Sequence, residues 1–243
     1  MATTLEYLED MFRYEGNAKI TGIGNDKDGR PALILDKTFF YPQGGGQACD
    51  VGIIEGEGLK FEVLSVIYVD GVVLHGGNVL VGLPEVGKPI KLTIDKARRE
   101  YNSRLQSGGH LLLNAMKDAG QTLVATKGYH FPDGPYVEFS GSIPENEREA
   151  LIPKLQMEVD RLVGLNLPVT WQLVPPEKLH EVCANVPANV PKDKPTRVVT
   201  IDAFSQPCGG THVRSLGELK GMKIEKIKSK KGDTRISYSI PKA

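Results

Sequence analysis

Features that identify several classes of protein are scarce or absent in this chain of 243 residues. Its three cysteines, Cys49, Cys183 and Cys208, are an odd and widely spaced set, which argues against a disulfide framework and indicates a reducing compartment. No apolar run reaches the roughly 18 to 20 residues that a membrane-spanning helix needs. The start of the chain also lacks the basic and then apolar order of a signal peptide. We therefore expect a cytoplasmic protein with no membrane partner, and no pattern indicates a protein partner.

Charge of one sign is not in excess either, and nucleotide-binding motifs are missing. The 30 basic and 30 acidic side chains give a formal net charge of +0. Because nucleic-acid-binding domains usually carry a basic excess, the whole-chain sum by itself argues against an RNA partner. Neither a P-loop nor a Gly-x-Gly-x-x-Gly fingerprint is present, so the expected function is independent of ATP.

The first part of the chain has the pattern of a small β-barrel. Short runs rich in β-branched residues, such as 61–69 and 90–94, alternate with turns rich in glycine, asparagine and aspartate. No helical period is present before residue 95. We predict an N-terminal β-barrel domain over residues 1–95.

The second part, residues 96–243, is predicted to be an α/β two-layer domain, which places the whole chain in the α+β class. A helix of roughly 20 residues is predicted up to Lys117, because apolar residues recur at helical spacing. These residues are Tyr101, Leu105, Leu112 and Met116. Alternating apolar residues after the turn at 231–233 predict a closing β-hairpin.

A second helix is predicted after Ser142. The spacing of Ser142 and Glu145, three residues later, is that of a capping box. An apolar stripe follows, made of Leu151, Leu155, Val159 and Leu162. Pro153 falls within this stripe and is expected to kink the helix or to displace its start.

Charge is divided unequally between the two parts. Residues 1–95 carry 8 basic and 14 acidic side chains, whereas residues 96–243 carry 22 basic and 16 acidic ones. The closing hairpin is rich in lysine, with Lys226, Lys228, Lys230 and Lys231. Two interpretations stay open, a solvated lysine face or a surface that follows the phosphates of an RNA.

Two pairs of side chains have the spacing of metal ligands. Cys208 and His212 are four residues apart, and a thiolate with an imidazole is a suitable donor pair for zinc. The glycines at 209–210 between them allow a tight turn. Gln106 and His110 are also four apart, on one face of the predicted helix. Each pair alone is weak evidence, and His110 by itself is better explained as a hydrogen-bonded histidine.

Gly108 and Gly109 are unusual in the interior of a predicted helix. Each glycine there costs about 1 kcal/mol of helix stability relative to alanine. Their presence indicates that another group approaches the helix closely.

Together these elements resemble the editing domain of alanyl-tRNA synthetases, which also occurs as the free-standing AlaX editing proteins. Residues 106–112 resemble its His-x-x-x-His element, and residues 208–213 resemble its Cys-x-x-x-His element. Residues 39–47, Phe-Phe-Tyr-Pro-Gln-Gly-Gly-Gly-Gln, with Asp50 and Gly52 after them, are similar to the glycine-rich motif of the preceding domain. Residues 127–138 are similar to a stretch found in one branch of the AlaX family. The length is typical of the medium-length AlaX type, which has no aminoacylation domain.

This resemblance implies an aminoacyl-tRNA hydrolase with one zinc ion per chain that maintains translation fidelity. The implied substrate is mischarged tRNA(Ala), first Ser-tRNA(Ala) and second Gly-tRNA(Ala), recognised at the acceptor end. A second hydrolytic site is a general remedy where a pocket for a methyl side chain cannot reject glycine or serine. The zinc ion would bind the substrate's amino group or activate a water, and both roles stay open.

One residue departs from the metal-binding pattern of the family. The first histidine of that pattern is Gln106 in this chain, and an amide is a poorer zinc ligand than an imidazole or a thiolate. The ligands would then be His110, Cys208 and His212, with the fourth position open, as in catalytic zinc sites. The alternative is a site that binds metal weakly or not at all. We favour the three-ligand site.

The resemblance also suggests which residues take part in catalysis and serine selectivity. His110 is expected at the catalytic centre, with Thr38 and Gln47 as candidates for recognising the seryl hydroxyl. For Thr38 the simpler alternative, a threonine on the surface of a strand, is favoured slightly.

Further residues are candidates for binding the substrate and the RNA. Gly44, Gly45 and Gly46 are expected to contact the substrate. His130 and Asp133 lie in a loop rich in proline and glycine, where they would line the rim of the pocket or simply hold the loop. The four lysines of the closing hairpin are the candidates for binding tRNA.

Two other functions are compatible with the same residues. One is a non-catalytic tRNA-binding homologue that kept the fold after losing a ligand at position 106. The other is editing of mischarged Thr-type tRNA, because a related domain occurs in threonyl-tRNA synthetases.

Overall fold

The structure of the protein is a computed structural model that describes residues 2–188 and 190–242, with the main chain but not the side chain of Lys230. The chain divides into two compact units. The first unit comprises the residues up to Gly44 together with Ala48–Glu100, and the second comprises Gly45–Gln47 together with the residues from Tyr101 on. The assignment of residues 1–95 and 96–243 to two domains stays a prediction.

The first unit is built around a closed β-barrel. Its strands, in chain order, are β1 (Thr4–Leu5), β2 (Glu15–Asn25), β3 (Pro31–Leu35), β4 (Lys37–Thr38), β5 (Gly52–Gly56), β6 (Leu59–Val69), β7 (Val72–Val81) and β8 (Pro89–Ile94). Six of them form an antiparallel barrel in the order β2-β3-β7-β6-β5-β8, and β1 pairs in parallel with β4. A short 3-10 helix spans Glu6–Leu8. The predicted barrel is confirmed.

Side chains that alternate along the strands fill the barrel. Phe61 and Val63 of β6 are completely buried, and so is Leu92 of β8. The structure explains why residue 52, which follows the glycine-rich motif, is glycine. A Cβ atom at this position would lie 2.2 Å from the Thr93 carbonyl oxygen. Only glycine therefore allows β5 and β8 to pair at this point.

A buried ion pair fixes the chain around the glycine-rich motif in the first unit. The guanidinium of Arg99 binds both carboxylate oxygens of Asp50 and also donates to the carbonyl oxygens of Met11 and Phe39. Asp50 in turn accepts a 2.6 Å hydrogen bond from the Tyr41 N–H. Removing one partner of such a pair leaves a buried charge uncompensated, so Arg99 and Asp50 act together as a structural anchor.

The elements from Lys96 onward are mixed helices and strands. In chain order they are α1 (Lys96–Asp118), β9 (Ala125–Tyr129), β10 (Tyr136–Phe139), α2 (Glu145–Leu165), β11 (Val169–Val174), α3 (Leu179–Val182), β12 (Thr196–Ile201), β13 (Phe204–Pro207), β14 (Lys223–Lys230) and β15 (Asp233–Ser239). Four strands form an antiparallel sheet in the order β14-β15-β10-β9, and three form another in the order β11-β12-β13. The predicted first helix, the closing hairpin and the α+β class are confirmed.

The core of the second unit lies between the long helices and the sheets. Leu105 and Leu112 of α1 are completely buried and belong to one apolar cluster with Phe139 of β10 and Ile236 of β15. The predicted stripe of α2 belongs to the same cluster. Burial of this kind stabilises a domain by roughly 25 cal/mol per Å² of apolar surface.

The predicted start of α2 is wrong. The helix begins at Glu145 with Pro144 as its N-cap, and no side chain caps it. Ser142 lies two positions before the N-cap, and its hydroxyl is 3.0 Å from the Ser229 hydroxyl. Pro153 lies within the helix and does not displace its start, because burial of the apolar stripe outweighs the hydrogen bond lost at the exposed proline.

In the described parts of the chain, 2–188 and 190–242, none of the helices is both long enough and apolar enough to cross a membrane.

Candidate metal centre

Three side chains of the second unit meet in one buried cluster. The ligand atoms of His110, Cys208 and His212 all lie within 4.8 Å of one another. The Nε2 atom of His212 is 3.3 Å from the Cys208 Sγ atom, and the rings of His110 and His212 are 4.5 Å apart, edge to face. Residues 98 positions apart in the chain therefore converge on one point.

The elements that carry these residues explain the convergence. His110 lies in α1, and Cys208 follows directly after β13. Gly210 lies against α1, since a Cβ atom there would be 2.9 Å from the Cγ and Cδ atoms of Gln106. Glycine at 210 is thus required for close approach, whereas nothing lies within 4 Å of a Cβ atom at Gly209.

Two residues that were not predicted from the sequence hold Cys208 and His212 in place. Arg197 of β12 donates from Nε to the Cys208 carbonyl oxygen at 3.0 Å and from Nη2 to the Gly210 carbonyl oxygen. The Ser107 hydroxyl is 3.0 Å from His212 Nδ1 and accepts a hydrogen bond from the Val213 N–H. Partners on the second ring nitrogen orient a ligating histidine, so Ser107 directs Nε2 of His212 toward Cys208.

The sequence contains a signal for Arg197 but none for Ser107. Arg197 alternates with Val199 and Ile201 on one face of its strand, and a charge on such an apolar face indicates a buried partner. The contact of Ser107 with His212 spans 105 positions, so no local pattern predicts it.

The protonation states at the cluster are those that metal ligands need. Burial by itself raises the pKa of the Cys208 thiol, but His212, the charge of Arg197 and the Gly210 N–H together lower it from 9.0 to about 7. Burial lowers the pKa of His110 to about 3 and that of His212 to about 4. Two neutral imidazoles and a thiol that ionises near neutral pH form a donor set suited to a divalent metal ion.

The separation of Cys208 and His212 is also compatible with a zinc ion. Zn–S bonds of about 2.3 Å and Zn–N bonds of about 2.0–2.1 Å at a tetrahedral angle place the two ligand atoms roughly 3.5 Å apart. The observed separation of Cys208 Sγ and His212 Nε2 is 3.3 Å. The cluster of His110, Cys208 and His212 could therefore hold a metal ion of this kind.

Gln106 lies beside the cluster with one polar atom unused. Its side chain is buried, and its Nε2 atom donates to the Cys208 Sγ atom at 3.4 Å. Its Oε1 atom is buried and has no hydrogen-bond partner among the described residues. An unpaired buried oxygen calls for an explanation such as an ion or a ligand.

The end of the glycine-rich motif belongs to the same unit and is fastened next to the cluster. Gln47 donates from Nε2 to the Thr211 hydroxyl and accepts the Thr211 N–H at Oε1, both at 2.9 Å. The Ser103 hydroxyl of α1 is 2.7 Å from the same Thr211 hydroxyl. Gln47 is completely buried and therefore positions Thr211, which lies between the ligands Cys208 and His212 in the chain.

Comparison with known proteins places this site in a family. A family profile described as tRNA synthetases class II (A) matches residues 13–98, and one described as Threonyl and Alanyl tRNA synthetase second additional domain matches residues 196–237. The chain is 31% identical over 244 residues to alanyl-tRNA editing protein AlaX-M of Methanosarcina barkeri, which covers 96% of each chain. The chain belongs to the AlaX family.

Longer relatives match as well. The chain is 32% identical over 238 residues to alanyl-tRNA editing protein AlaX-L of Pyrococcus horikoshii, covering 96% of this chain and 57% of that protein. It is 33% identical over 237 residues to an alanine–tRNA ligase of Archaeoglobus fulgidus, covering 94% of this chain and 24% of the ligase. The chain thus spans little more than half of the first relative and about a quarter of the second.

His130, one of the candidate substrate-binding residues, is buried against α1. A Cβ atom at Gly109 would lie 2.2 Å from its Cε1 atom, which explains the glycine in the helix. Its Nδ1 atom is 2.6 Å from the Tyr238 hydroxyl, which donates to the Leu105 carbonyl oxygen at 2.7 Å. Since a carbonyl only accepts, Tyr238 uses its proton there, and Nδ1 of His130 must carry the proton of the ring.

The main chain of His130 holds the glycine-rich motif. Its N–H donates to the Gly46 carbonyl oxygen at 2.7 Å. Gly46 has a φ of +79°, and a Cβ atom there would be 2.3 Å from the Gly128 carbonyl oxygen. Asp133, by contrast, is exposed and accepts a hydrogen bond from the Tyr129 hydroxyl. His130 and Asp133 are therefore not equivalent. Substrate binding by either of them, and by Gly44, Gly45 and Gly46, stays a prediction.

Thr38 lies in the first unit with its hydroxyl engaged. His75 is 3.1 Å from the Leu33 carbonyl oxygen through Nδ1, so Nδ1 donates there and Nε2 accepts the Thr38 proton at 2.8 Å. The Thr38 oxygen also accepts the Phe40 N–H at 3.1 Å. Burial lowers the pKa of His75 to about 4, in line with a neutral ring. Recognition of substrate by Thr38 stays a prediction.

The lysines of the closing hairpin that are predicted to bind RNA lie partly on a strand and partly in the turn. Lys226 and Lys228 are exposed on β14, and Lys231 lies in the turn with a φ of 53°. The side chain of Lys230 is outside the described part of the structure.

Proposed function

We propose that the protein hydrolyses the ester bond of mischarged tRNA(Ala), with Ser-tRNA(Ala) as the main substrate and Gly-tRNA(Ala) as the second. The observation that carries this proposal is the buried cluster of His110, Cys208 and His212. The AlaX relatives named alanyl-tRNA editing proteins, at 30 to 32% identity, support it. Serine and glycine are the expected errors because a pocket for a methyl side chain cannot reject either strongly.

We propose zinc as the metal, held by His110, Cys208 and His212, one ion per chain. When bound, it would supply either an anchor for the substrate's amino group or a water of lowered pKa. Gln106 is not required as a ligand in this proposal, because an amide oxygen is a poorer zinc ligand than an imidazole or a thiolate.

The protein's own residues then prepare the centre. Ser107 and Arg197 hold His212 and the Cys208 turn, and the pair of hydrogen bonds between Gln47 and Thr211 fastens the glycine-rich motif beside them. Such fixed donors and ligands lose little entropy when the substrate binds. Thr38 remains our candidate for recognising the seryl hydroxyl.

A deacylation panel tests this function. Wild-type protein is incubated with Ser-tRNA(Ala), Gly-tRNA(Ala), Ala-tRNA(Ala) and Ser-tRNA(Thr), and release of the amino acid is measured together with the zinc content. We expect hydrolysis of the first two only. Cys208→Ala should abolish both zinc binding and hydrolysis, whereas Cys183→Ala, which removes a buried thiol outside the cluster, should keep both.

The same panel separates the competing functions. Binding of tRNA without any hydrolysis would favour a non-catalytic homologue, and hydrolysis of Ser-tRNA(Thr) alone would favour threonine-type editing. Hydrolysis retained in Cys208→Ala would refute a role for the metal cluster. Thr38→Val should slow Ser-tRNA(Ala) hydrolysis more than Gly-tRNA(Ala) hydrolysis, and an equal loss on both would exclude hydroxyl recognition by Thr38.

A further inference from the structure

One face of the sheet β14-β15-β10-β9 carries polar and aromatic side chains in two rows that cross the strands. The pairing of the strands aligns the first row as Lys127, Glu138, Arg235 and Lys228. It aligns the second row as Tyr129, Tyr136, Ser237 and Lys226. Residues that alternate with them, such as Val137 and Ile236, are buried in the core. We call the surface formed by the two rows the outer face.

Planar groups on the outer face and next to it form a stacked column. The rings of Phe131 and Tyr129 are 4.6 Å apart at 27°, and those of Tyr129 and Tyr136 are 5.1 Å apart at 15°. The guanidinium carbon of Arg235 lies 3.8 Å from the centre of the Tyr136 ring. From Tyr129 onward the column advances by one strand at each step, from β9 to β10 to β15.

If the column continued by one more strand, the next planar group would stack on Arg235 above β14. Two lysines are exposed there. Lys226 pairs with Ser237, and Lys228 pairs with Arg235. A cavity of about 610 Å³ borders both lysines, Arg235 and Tyr136. This volume is within the range of roughly 300–1,000 Å³ that is typical of ligand sites.

The outer face carries charges of both signs, and the basic side chains that have no carboxylate partner are lysines. Glu138 is paired with Arg235 at 3.3 Å. No ion pair to Lys127, Lys226 or Lys228 is found within residues 2–188 and 190–242. Two carboxylates, Asp133 and Glu225, border the cavity, and they accept hydrogen bonds from the Tyr129 and Ser239 hydroxyls.

We propose that the outer face binds an unpaired nucleotide of RNA, whose base stacks on the Arg235 guanidinium and whose phosphates lie near Lys226 and Lys228. Aromatic rings and guanidinium planes are the groups on which proteins stack unpaired bases. A duplex does not fit this surface, because its base faces are covered by their neighbours. The inference rests on the proposed function in one respect: tRNA is chosen as the RNA because it is the substrate of that function.

The experiment uses RNA that carries no amino acid. The binding measurement therefore depends neither on hydrolysis of an aminoacyl ester nor on a bound metal ion. A hairpin with the acceptor-stem sequence of tRNA(Ala) and four unpaired 3′ nucleotides is labelled and titrated with the full chain, and a blunt-ended hairpin serves for comparison. We expect the unpaired tail to strengthen binding by about fivefold to one-hundredfold, as a stacked base does. Arg235→Lys, which keeps the charge but loses the planar group, should remove most of this advantage.

The lysines are tested by salt dependence. In Lys226→Ala/Lys228→Ala, the slope of log affinity against log salt should fall by about 1.4, which is the effect of losing two contacts to single-strand phosphates. Lys154→Ala/Lys178→Ala removes the same charge from exposed positions elsewhere and should leave the slope unchanged. Thermal unfolding of each variant checks that the fold is intact.

The outcomes distinguish this inference from the proposed function. Equal binding of tailed and blunt hairpins, or a tail advantage unchanged in Arg235→Lys, would overturn the inference even if the wild-type protein edits tRNA. A tail advantage that depends on Arg235, in a protein that hydrolyses no aminoacyl-tRNA, would support the outer face and refute the editing function.

Discussion

Gln106 is the residue at which this chain departs from the metal-binding pattern of the AlaX family. It lies on the same helix face as His110 and donates to the Cys208 sulfur, while its own Oε1 atom is buried without a hydrogen-bond partner among the described residues. A hydrogen bond donated to a thiolate partly neutralises the charge of the sulfur, and it does not fill a coordination position of a metal ion. The cluster of His110, Cys208 and His212 could hold a metal ion with this amide as its neighbour, and three-ligand binding stays a prediction.

Restoring histidine at this position should tighten metal binding. In Gln106→His the imidazole adds a fourth good ligand, and we expect the dissociation constant for zinc to fall by at least about tenfold. Competition with a chelator measures the change. Gln172→His, which adds a histidine at an exposed position of β11, is the control and should bind zinc as the wild type does. An unchanged affinity in Gln106→His would mean that Gln106 already serves as a full ligand.

The pKa values predict how zinc affinity depends on pH. Because the pKa of Cys208 is about 7, one proton competes with the metal for the sulfur below that pH. His110 and His212 are neutral throughout, since burial holds their pKa values at about 3 and 4. Zinc affinity should fall by about tenfold for each pH unit between 7 and 5 and level off above about 8. A fall of about one-hundredfold for each unit, measured by the same competition, would show that a histidine also takes up a proton.

At the scale of elements, the glycines of α1 show how a helix accommodates its neighbours. A Cβ atom at Gly109 would be 2.2 Å from His130, and one at Gly108 would be 2.8 Å from Ile240. The expectation that another group approaches the helix closely is confirmed. Its partners could not be named in advance, because His130 and Ile240 come from distant strands and loops.

Close packing at Gly109 predicts that replacing glycine by alanine has opposite effects on stability in α1 and in α2. Gly109→Ala should lower the free energy of unfolding by about 1–2 kcal/mol, because overpacking against His130 outweighs the gain in helix propensity. Gly164→Ala in α2, where nothing lies within 4 Å of the new Cβ atom, should raise it by about 0.5–1 kcal/mol. Denaturant unfolding measures both variants. A stabilised Gly109→Ala would contradict close packing of His130, and a double-mutant cycle with His130→Ala would locate the strain.

Local patterns predicted most of the elements and failed at one helix start. The spacing of apolar residues was sufficient for α1, for the buried stripe of α2 and for the closing hairpin, since periodicity records which side of an element is buried. The capping box at Ser142 was wrong because the helix begins two positions later than the box requires, after Pro144, while the Ser142 hydroxyl contacts Ser229, 87 positions away.

At the scale of the whole molecule, the neutral composition hides two parts of opposite charge. Residues 1–95 are acidic in sum, and residues 96–243 are basic in sum. The lysines that count for the proposed RNA contact are those on the outer face, Lys226 and Lys228, together with the planar column beside them. The net charge therefore carried less information about an RNA partner than the order of the strands does.

The sequence by itself determined the barrel, the α+β class, the family and the three residues of the cluster, His110, Cys208 and His212. Each of these depends on local periodicity or on a short motif whose residue types suit one chemistry. Only the tertiary structure decided that Arg197 and Ser107 hold the ligands, that Gln47 fastens Thr211, and that Arg235 extends the aromatic column. These contacts, apart from those of Arg197, join residues far apart in the chain, and they form only when burial brings distant elements together. No spacing along the sequence records them.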